Sequence, residues 1–211
     1  VAGITLNPAV LPGVSVGAWR TGNALLAWGQ ADLPGGSNQW ASAVWFKRFS
    51  AGAWQSSTAR VGAPFVSTQA LLSTPVLRMN AAGAAVVSWG RLDNALMAAT
   101  AAPGAAFGAD RVVRAAASQA LASLPALGVD DATNALVAWA QGNGVGTSDL
   151  YAARHTLADG WGTPVAQEGT DEIATSPDLA MNEVGNAVLA WQQFEAASGT
   201  RILVRQYGSG R

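Results

Sequence analysis

The chain of 211 residues has twelve basic and thirteen acidic side chains, a formal net charge of −1, and 12% charged against 50% hydrophobic residues. It has no basic cluster, so it lacks the concentrated positive face that nucleic acid requires, and with no cysteine it can build neither a disulfide framework nor a thiolate metal site. Its apolar residues come in short runs between Gly, Pro, Ser and Asn, well below the roughly 18 residues of a membrane-spanning helix, and no membrane insertion is expected.

In chain order, residues 1–6 (Val-Ala-Gly-Ile-Thr-Leu) are strand-like, with no basic stretch before an apolar one, so no signal peptide is present in this chain. Sparse charge together with many Trp, Gly, Ser, Thr and Asn still points to an exported bacterial protein, whether periplasmic, at the cell surface or secreted. Pro12 then opens a short alternating segment, Val14-Ser15-Val16. The same device recurs at Pro75 before Leu77-Arg78-Met79, at Pro125 before Leu127-Gly128-Val129, and at Pro177 before Leu179-Ala180-Met181. Proline is tolerated at the start of a strand, and these segments read as a first strand, A. Turn residues follow: Gly22, Asn80 with Gly83, Asp130-Asp131, and Asn182 with Gly185. Short Asn/Asp/Gly connections of this kind are hairpin signals.

Strand B comes next and carries the clearest repeat in the molecule. Asn23-Ala-Leu-Leu-Ala-Trp28-Gly-Gln30 recurs as Asn134-Ala-Leu-Val-Ala-Trp139-Ala-Gln141 and as Asn186-Ala-Val-Leu-Ala-Trp191-Gln-Gln193, with a worn copy Ala84-Ala-Val-Val-Ser-Trp89-Gly-Arg91. The tryptophans lie 61, 50 and 52 residues apart. A third strand, C, follows a loop of variable length: residues 44–49, 95–100, 150–155 and 202–207. A fourth, D, opens at Ala53-Trp54, at Phe107 and at Gly160-Trp161. Connector 69–75 matches 119–125, which makes the alanine-rich stretch 111–124 a strand and linker in register with the other repeats, despite its good helix propensity.

Alternate residues of a strand face opposite ways. In strand B one face ends in the tryptophan, while the residue before it, on the other face, is always small: Ala27, Ser88, Ala138 or Ala190. A bulky face stacked on a small one lets successive sheets interdigitate at native density. Four such units at a period of about 50 residues predict an all-β fold, a small β-propeller of four four-stranded antiparallel blades. The single domain 1–211 divides into repeats 12–63, 75–115, 125–168 and 177–211. The last lacks a strand D, and residues 1–6 are expected to complete it beside strand 202–207, closing the ring. The repeat resembles the degenerate Asp/Asn-x-x-Gly-Asn-Ala-…-Trp repeats of bacterial exported propeller-like proteins. The resemblance implies a fold and no function.

The alternation assigns Trp28, Trp89, Trp139 and Trp191 to the core rather than to sugar stacking. Trp54 and Trp161 share the outer strand-D position, where core edge competes with ligand contact. Unrepeated aromatics on loops are better binding candidates, because architecture does not demand them; Trp19 and, above all, Trp40 beside the Gly/Ser/Asn insertion 32–39 are of this kind. Asn134 and Asn186, with Asn23 and the paired Gln30, Gln141 and Gln193, could form a repeated polar ring for a glycan or an ion. The competing local reading has the Asn satisfying the A–B turn backbone and the Gln capping strand B. The acids show no metalloprotease, EF-hand or phosphate-loop spacing, His155 is the only histidine, and no catalytic residue, metal ligand or cofactor is nominated. The expectation is a non-catalytic binding module for a glycan through loops at one rim. A structural or protein-binding domain of a larger surface assembly is the alternative, and a glycosidase or lyase the more distant one.

Overall fold

The computed structural model describes residues 10–19, 22–33, 38–69, 73–169 and 172–208. Among them there is no helix, and every repeat forms an antiparallel meander. The first holds β1 (Val10–Ala18), β2 (Ala24–Asp32), β3 (Trp40–Ser50), the short β4 (Ala53–Trp54) and β5 (Ala59–Ser67). The second holds β6 (Val76–Met79), β7 (Ala85–Gly90), β8 (Leu96–Ala101) and β9 (Arg111–Arg114), so the alanine-rich stretch does begin as a strand. The third holds β10 (Ala126–Val129), β11 (Ala135–Gly142), β12 (Ser148–Thr156), β13 (Gly160–Trp161) and β14 (Val165–Ala166). The fourth holds β15 (Ile173–Met181), β16 (Ala187–Glu195) and β17 (Gly199–Tyr207). A single parallel pair, Ser148 with Ile173, ties the third meander to the fourth.

The first strands converge: β6 packs between β1 and β10, and β10 against β15. Close approach there needs missing side chains. A Cβ on Gly17 would stand 2.7 Å from Met79 Cγ, and one on Gly128 2.4 Å from Leu179 Cδ2, so each glycine makes room for an apolar side chain of the following sheet. Pro12 and Pro177 fall at register shifts of β1 and β15, where a missing N–H costs no ladder bond.

Registers superimpose the repeats residue by residue. Trp28 pairs with Trp45, Trp89 with Met97, Trp139 with Tyr151 and Trp191 with Leu203. The clusters between sheets then follow one rule. Leu25, Ala27, Val44 and Phe46 of the first sheet pack with Leu77, Val87 and Trp89 of the second. Val86, Leu96 and Ala98 of the second pack with Leu127, Val137 and Trp139 of the third. Leu136, Ala138, Leu150 and Ala152 of the third pack with Leu179, Leu189 and Trp191 of the fourth. Each sheet thus turns its tryptophan face to the sheet before it and its small-residue face to the sheet after it. All four repeat tryptophans are buried, as the alternation requires.

The expected closure into a four-membered ring is not what the described residues form. Val16 of β1 and Ile202 of β17 are each 64% exposed, while their counterparts Leu127 and Leu150 are fully buried. The outer faces of the first and fourth sheets therefore do not cover one another. The repeat count fixes how many sheets there are but not the angle between them, and the angle decides whether four suffice for a ring. Residues 1–6, the expected closing strand, lie outside the described residues. The fourth blade has three strands, not four, among the described residues.

Candidate functional site in the cleft between the second and third sheets

In a meander the A–B turns and C–D hairpins share one end of the sheet. At that end the A–B turns of the second, third and fourth sheets are built alike, and it is the first turn residue that organises them. Asn80 Oδ1 accepts hydrogen bonds from the Ala82 and Ala84 N–H groups at 3.1 and 2.9 Å. Asp130 Oδ1 accepts from Asn134 N at 2.7 Å, and Asn182 Oδ1 from Asn186 N at 2.9 Å. In these three turns the side chain of the first residue meets the turn N–H groups. Asn134 instead donates from Nδ2 to Asp130 Oδ2 at 2.9 Å. The motif glutamines also differ from expectation: Gln141 and Gln193 accept from the Trp139 and Trp191 indoles at 2.9 and 3.0 Å, and Gln30 from Trp28 at 3.4 Å. A buried indole N–H needs a partner, and the glutamine two residues on, on the same face, supplies it.

The fourth residue of the turn has positive φ in every copy: 74° at Gly22, 88° at Gly83, 83° at Gly185, and 65° at Thr133. Thr133 is the exception, a β-branched residue where glycine belongs. Its backbone hydrogen-bonds the imidazole of His155, at the end of β12 and opposite Ala135. Phe49, Ala101 and Tyr207 hold the same register position in the other sheets, so the histidine and the irregular turn are departures from the repeat that meet each other.

His155 borders a cleft of about 610 Å³ between the outer strands of the second and third sheets, lined also by Thr100, Arg111, Asp159 and Trp161. The C–D hairpin puts Trp161 opposite His155, with ring centroids 5.1 Å apart. Burial lowers the His155 pKa, and the hydrogen bond to the Thr133 backbone opposes that shift. The imidazole is buried and its Nδ1 has no partner, and Nε1 of Trp161 is likewise buried without one. A neutral imidazole that donates to a backbone carbonyl through one nitrogen offers the other as an acceptor. One unengaged acceptor and one unengaged donor therefore lie buried behind the cleft wall beside an aromatic ring, and an unpaired buried polar group is costly. Asp159 accepts from Thr156 Oγ1 at 3.0 Å, and Arg111 is exposed.

A second cleft, about 360 Å³, lies between the third and fourth sheets on the other side of His155, with Asp130, Asn134, Arg154 and Glu183 on its walls. A third, about 300 Å³ between the first and second sheets, holds Trp89, Arg91 and Asp110; Arg91 is paired with Asp93 and lies 4.2 Å from the centre of the Phe65 ring. Among the described residues no group of His, Asp and Glu could hold a metal ion.

The residues singled out in the sequence scatter. Trp161 lines the 610 Å³ cleft and Asn134 the 360 Å³ one. Trp19 takes the place of Asn80 in the first turn and packs its indole on Gly83, with the Arg48 guanidinium 6.0 Å from the ring. Trp54 is 39% exposed and packs edge-on against Phe49 at 5.4 Å. Asn186 lies on the fourth sheet beside Tyr207 and Gln206. Trp40 begins β3, opposite Ser67, at the B–C end of the sheet and away from the His155 cleft; most of the insertion before it, residues 34–37, lies outside the described residues. The residue that sequence reasoning passed over is His155. Its signal was its place in strand C, where the other repeats have Phe49, Ala101 and Tyr207.

No protein-family model matches the sequence, and no curated protein is significantly similar to it. The fold is shared with solved β-propellers. A fungal lectin, the six-bladed, fucose-recognising lectin of Aleuria aurantia, matches 99% of this chain over 65% of its own, with a TM-score of 0.52 and 14% identity. A mutant of that lectin in complex with Fucα1-6GlcNAc matches with a TM-score of 0.53 and 13% identity, over 99% of this chain and 66% of the lectin. A mutant of an α-L-arabinofuranosidase of Fusarium graminearum, in complex with an iminosugar inhibitor, gives 0.51 and 14%, over 95% of this chain and 63% of the enzyme. The chain thus spans just under two thirds of the length of each.

Proposed function

We propose that this chain is a non-catalytic carbohydrate-binding module, and that the cleft between the second and third sheets is where a neutral sugar docks. The observation that carries the reading is a 610 Å³ cleft walled by His155 and Trp161, with two unpartnered polar atoms of those residues, His155 Nδ1 and Trp161 Nε1, buried just behind its surface. A sugar hydroxyl both donates and accepts, so one hydroxyl, or two neighbouring ones, can satisfy both atoms once the two rings turn toward the cleft. The Trp161 ring offers an apolar surface to the C–H face of a pyranose, and the cleft volume falls in the range of small-molecule sites. The fold likeness to a fucose-recognising lectin agrees with this reading. A glycosidase of the usual kind uses two carboxylates flanking the bond it breaks, and Asp159 is the one acid lining the cleft among the described residues; this favours binding over hydrolysis. An exported setting rests on the composition of the sequence and belongs to the same proposal.

The test is calorimetric titration with a panel of neutral mono- and disaccharides that includes fucose, Fucα1-6GlcNAc and arabinobiose. Binding is expected, weakened about tenfold by Trp161→Phe, which keeps a ring and removes the N–H; tenfold corresponds to one neutral hydrogen bond of about 1.4 kcal/mol. No heat from any sugar at millimolar concentration, or binding indifferent to both Trp161→Phe and His155→Phe, contradicts the proposal.

A further inference from the structure

The repeat makes the same interface three times within the chain, and of the two halves of a fourth, one stands uncovered and the other is open along its first strand. On the small-residue face, Leu25, Val86 and Leu136 are buried in the first three sheets; Val188, at the same position in the fourth, is 43% exposed. Val44, Leu96 and Leu150 correspond to Ile202, and Phe46, Ala98 and Ala152 to Val204; the first three of each set are buried, while Val204 is 58% exposed. Gln192 and Gln206 complete that face on β16 and β17, and the exposed Asp178 of β15, opposite Ala190, puts one charge at its inner edge. On the tryptophan face the inner strand tells the same story: Leu77, Leu127 and Leu179 are buried, and Val16 of the first sheet is open to solvent, with Val14 beside it. Trp28 itself is covered, so the exposure there lies at the edges, on β1 and at Val66 of β5, which is 52% exposed.

We propose that these end faces are docking surfaces for a pair of further blades of the same repeat, one laying a tryptophan face on β16 and β17, the other a small-residue face along β1. The four sheets would then form two thirds of a six-bladed ring. Three features favour this occupant. The faces are the two complementary halves of an interface already made three times, and faces of one repeat dock head to tail. Exposed contiguous apolar surface marks a partner site. All four sheets match a six-bladed ring while spanning 65% of its chain, which leaves room for two blades. A second copy of this chain brings four sheets to that gap and would not fit it.

The experiment appends a duplicate of residues 75–168, the second and third repeats, to the end of the full chain, and compares it with the unextended protein. The chain has no cysteine, so Ile202→Cys and, as a buried control, Leu150→Cys report exposure by their rate of thiol labelling. In the unextended chain, monomeric by light scattering, Ile202→Cys is expected to label fast and Leu150→Cys slowly. In the extended chain, also monomeric, labelling at Ile202→Cys should slow by about tenfold or more, and Val204→Asp should lower the melting temperature of the extended chain alone. Should that extension fail to fold, the same measurement uses a duplicate of the first and second repeats. Fast labelling in whichever extension folds, or the failure of both to fold, overturns the proposal. So does an unextended chain that is already a dimer with Ile202→Cys protected, since the occupant is then a second copy. Sugar titration reads the cleft between the second and third sheets and is independent of this outcome.

Discussion

Sheets three and four carry nearly the same strand B, yet one is a core element on both faces and the other on one only. Leu136 and Val188 both sit one residue past the start of their strand B and point toward the next sheet. Leu136 finds Val188's own sheet there and is buried, while Val188 meets solvent. The difference shows that the octet has no fixed energetic meaning. Its apolar residues are the two halves of a joint, and each half stabilises only where its complement is present.

The largest effects should separate these two situations. Leu136→Ala opens a cavity between sheets and is expected to cost about 2–5 kcal/mol, whereas Val188→Ala should stay within about 0.5 kcal/mol; chemical denaturation of both variants measures the contrast, and equal costs would break it. Next comes the indole partner. Gln141→Leu leaves the fully buried Trp139 N–H without an acceptor, at about 1–3 kcal/mol, and Gln30→Leu should cost less, because the Trp28 bond is long at 3.4 Å. A smaller effect follows from His155, whose counterpart in the fourth sheet, Tyr207, does not titrate near neutrality. Because burial holds the folded-state pKa of His155 below its unfolded value of about 6.5, the unfolded chain takes up the proton first. Stability is therefore fully present above about pH 6.5 and falls as the pH drops through the folded pKa. His155→Phe should flatten the dependence of the denaturation midpoint between pH 8 and pH 5, and an unchanged slope would mean that other groups produce it. The smallest is Thr133→Gly. Relieving positive φ in a β-branched residue, against the greater chain entropy of glycine, should stabilise by about 1 kcal/mol or less, with Gly185 as the unstrained reference.

The fold was largely legible because a repeat writes the same packing rule four times. A tryptophan always beside a small residue gave the two faces of each blade, and proline before an alternating triplet located each first strand, opening β6 and β10 but lying inside β1 and β15. Closure was not legible. Whether four sheets meet depends on the angles between them, which no single repeat encodes. The candidate site was half legible. Trp161 stands in the cleft wall, but Trp40, chosen because it lies beside a long insertion, is at the opposite end of its sheet. Asn134 and Gln141 looked like a ligand ring because sequence shows polar residues at a fixed spacing and hides their partners, which are Asp130 and the Trp139 indole. His155 was discounted for being a lone histidine, which excludes a histidine metal site but says nothing against a single hydrogen-bonding one.

Being the only histidine also makes His155 the most direct reporter of the binding proposal. Its imidazole gives one set of side-chain resonances, with nothing to overlap it. During titration with the neutral sugar panel the account predicts that these resonances shift in a saturable way as a hydroxyl takes up Nδ1, and that the Trp161 indole N–H shifts with the same midpoint. A sugar that binds while both signals stay still would place the site elsewhere and contradict the assignment of this cleft.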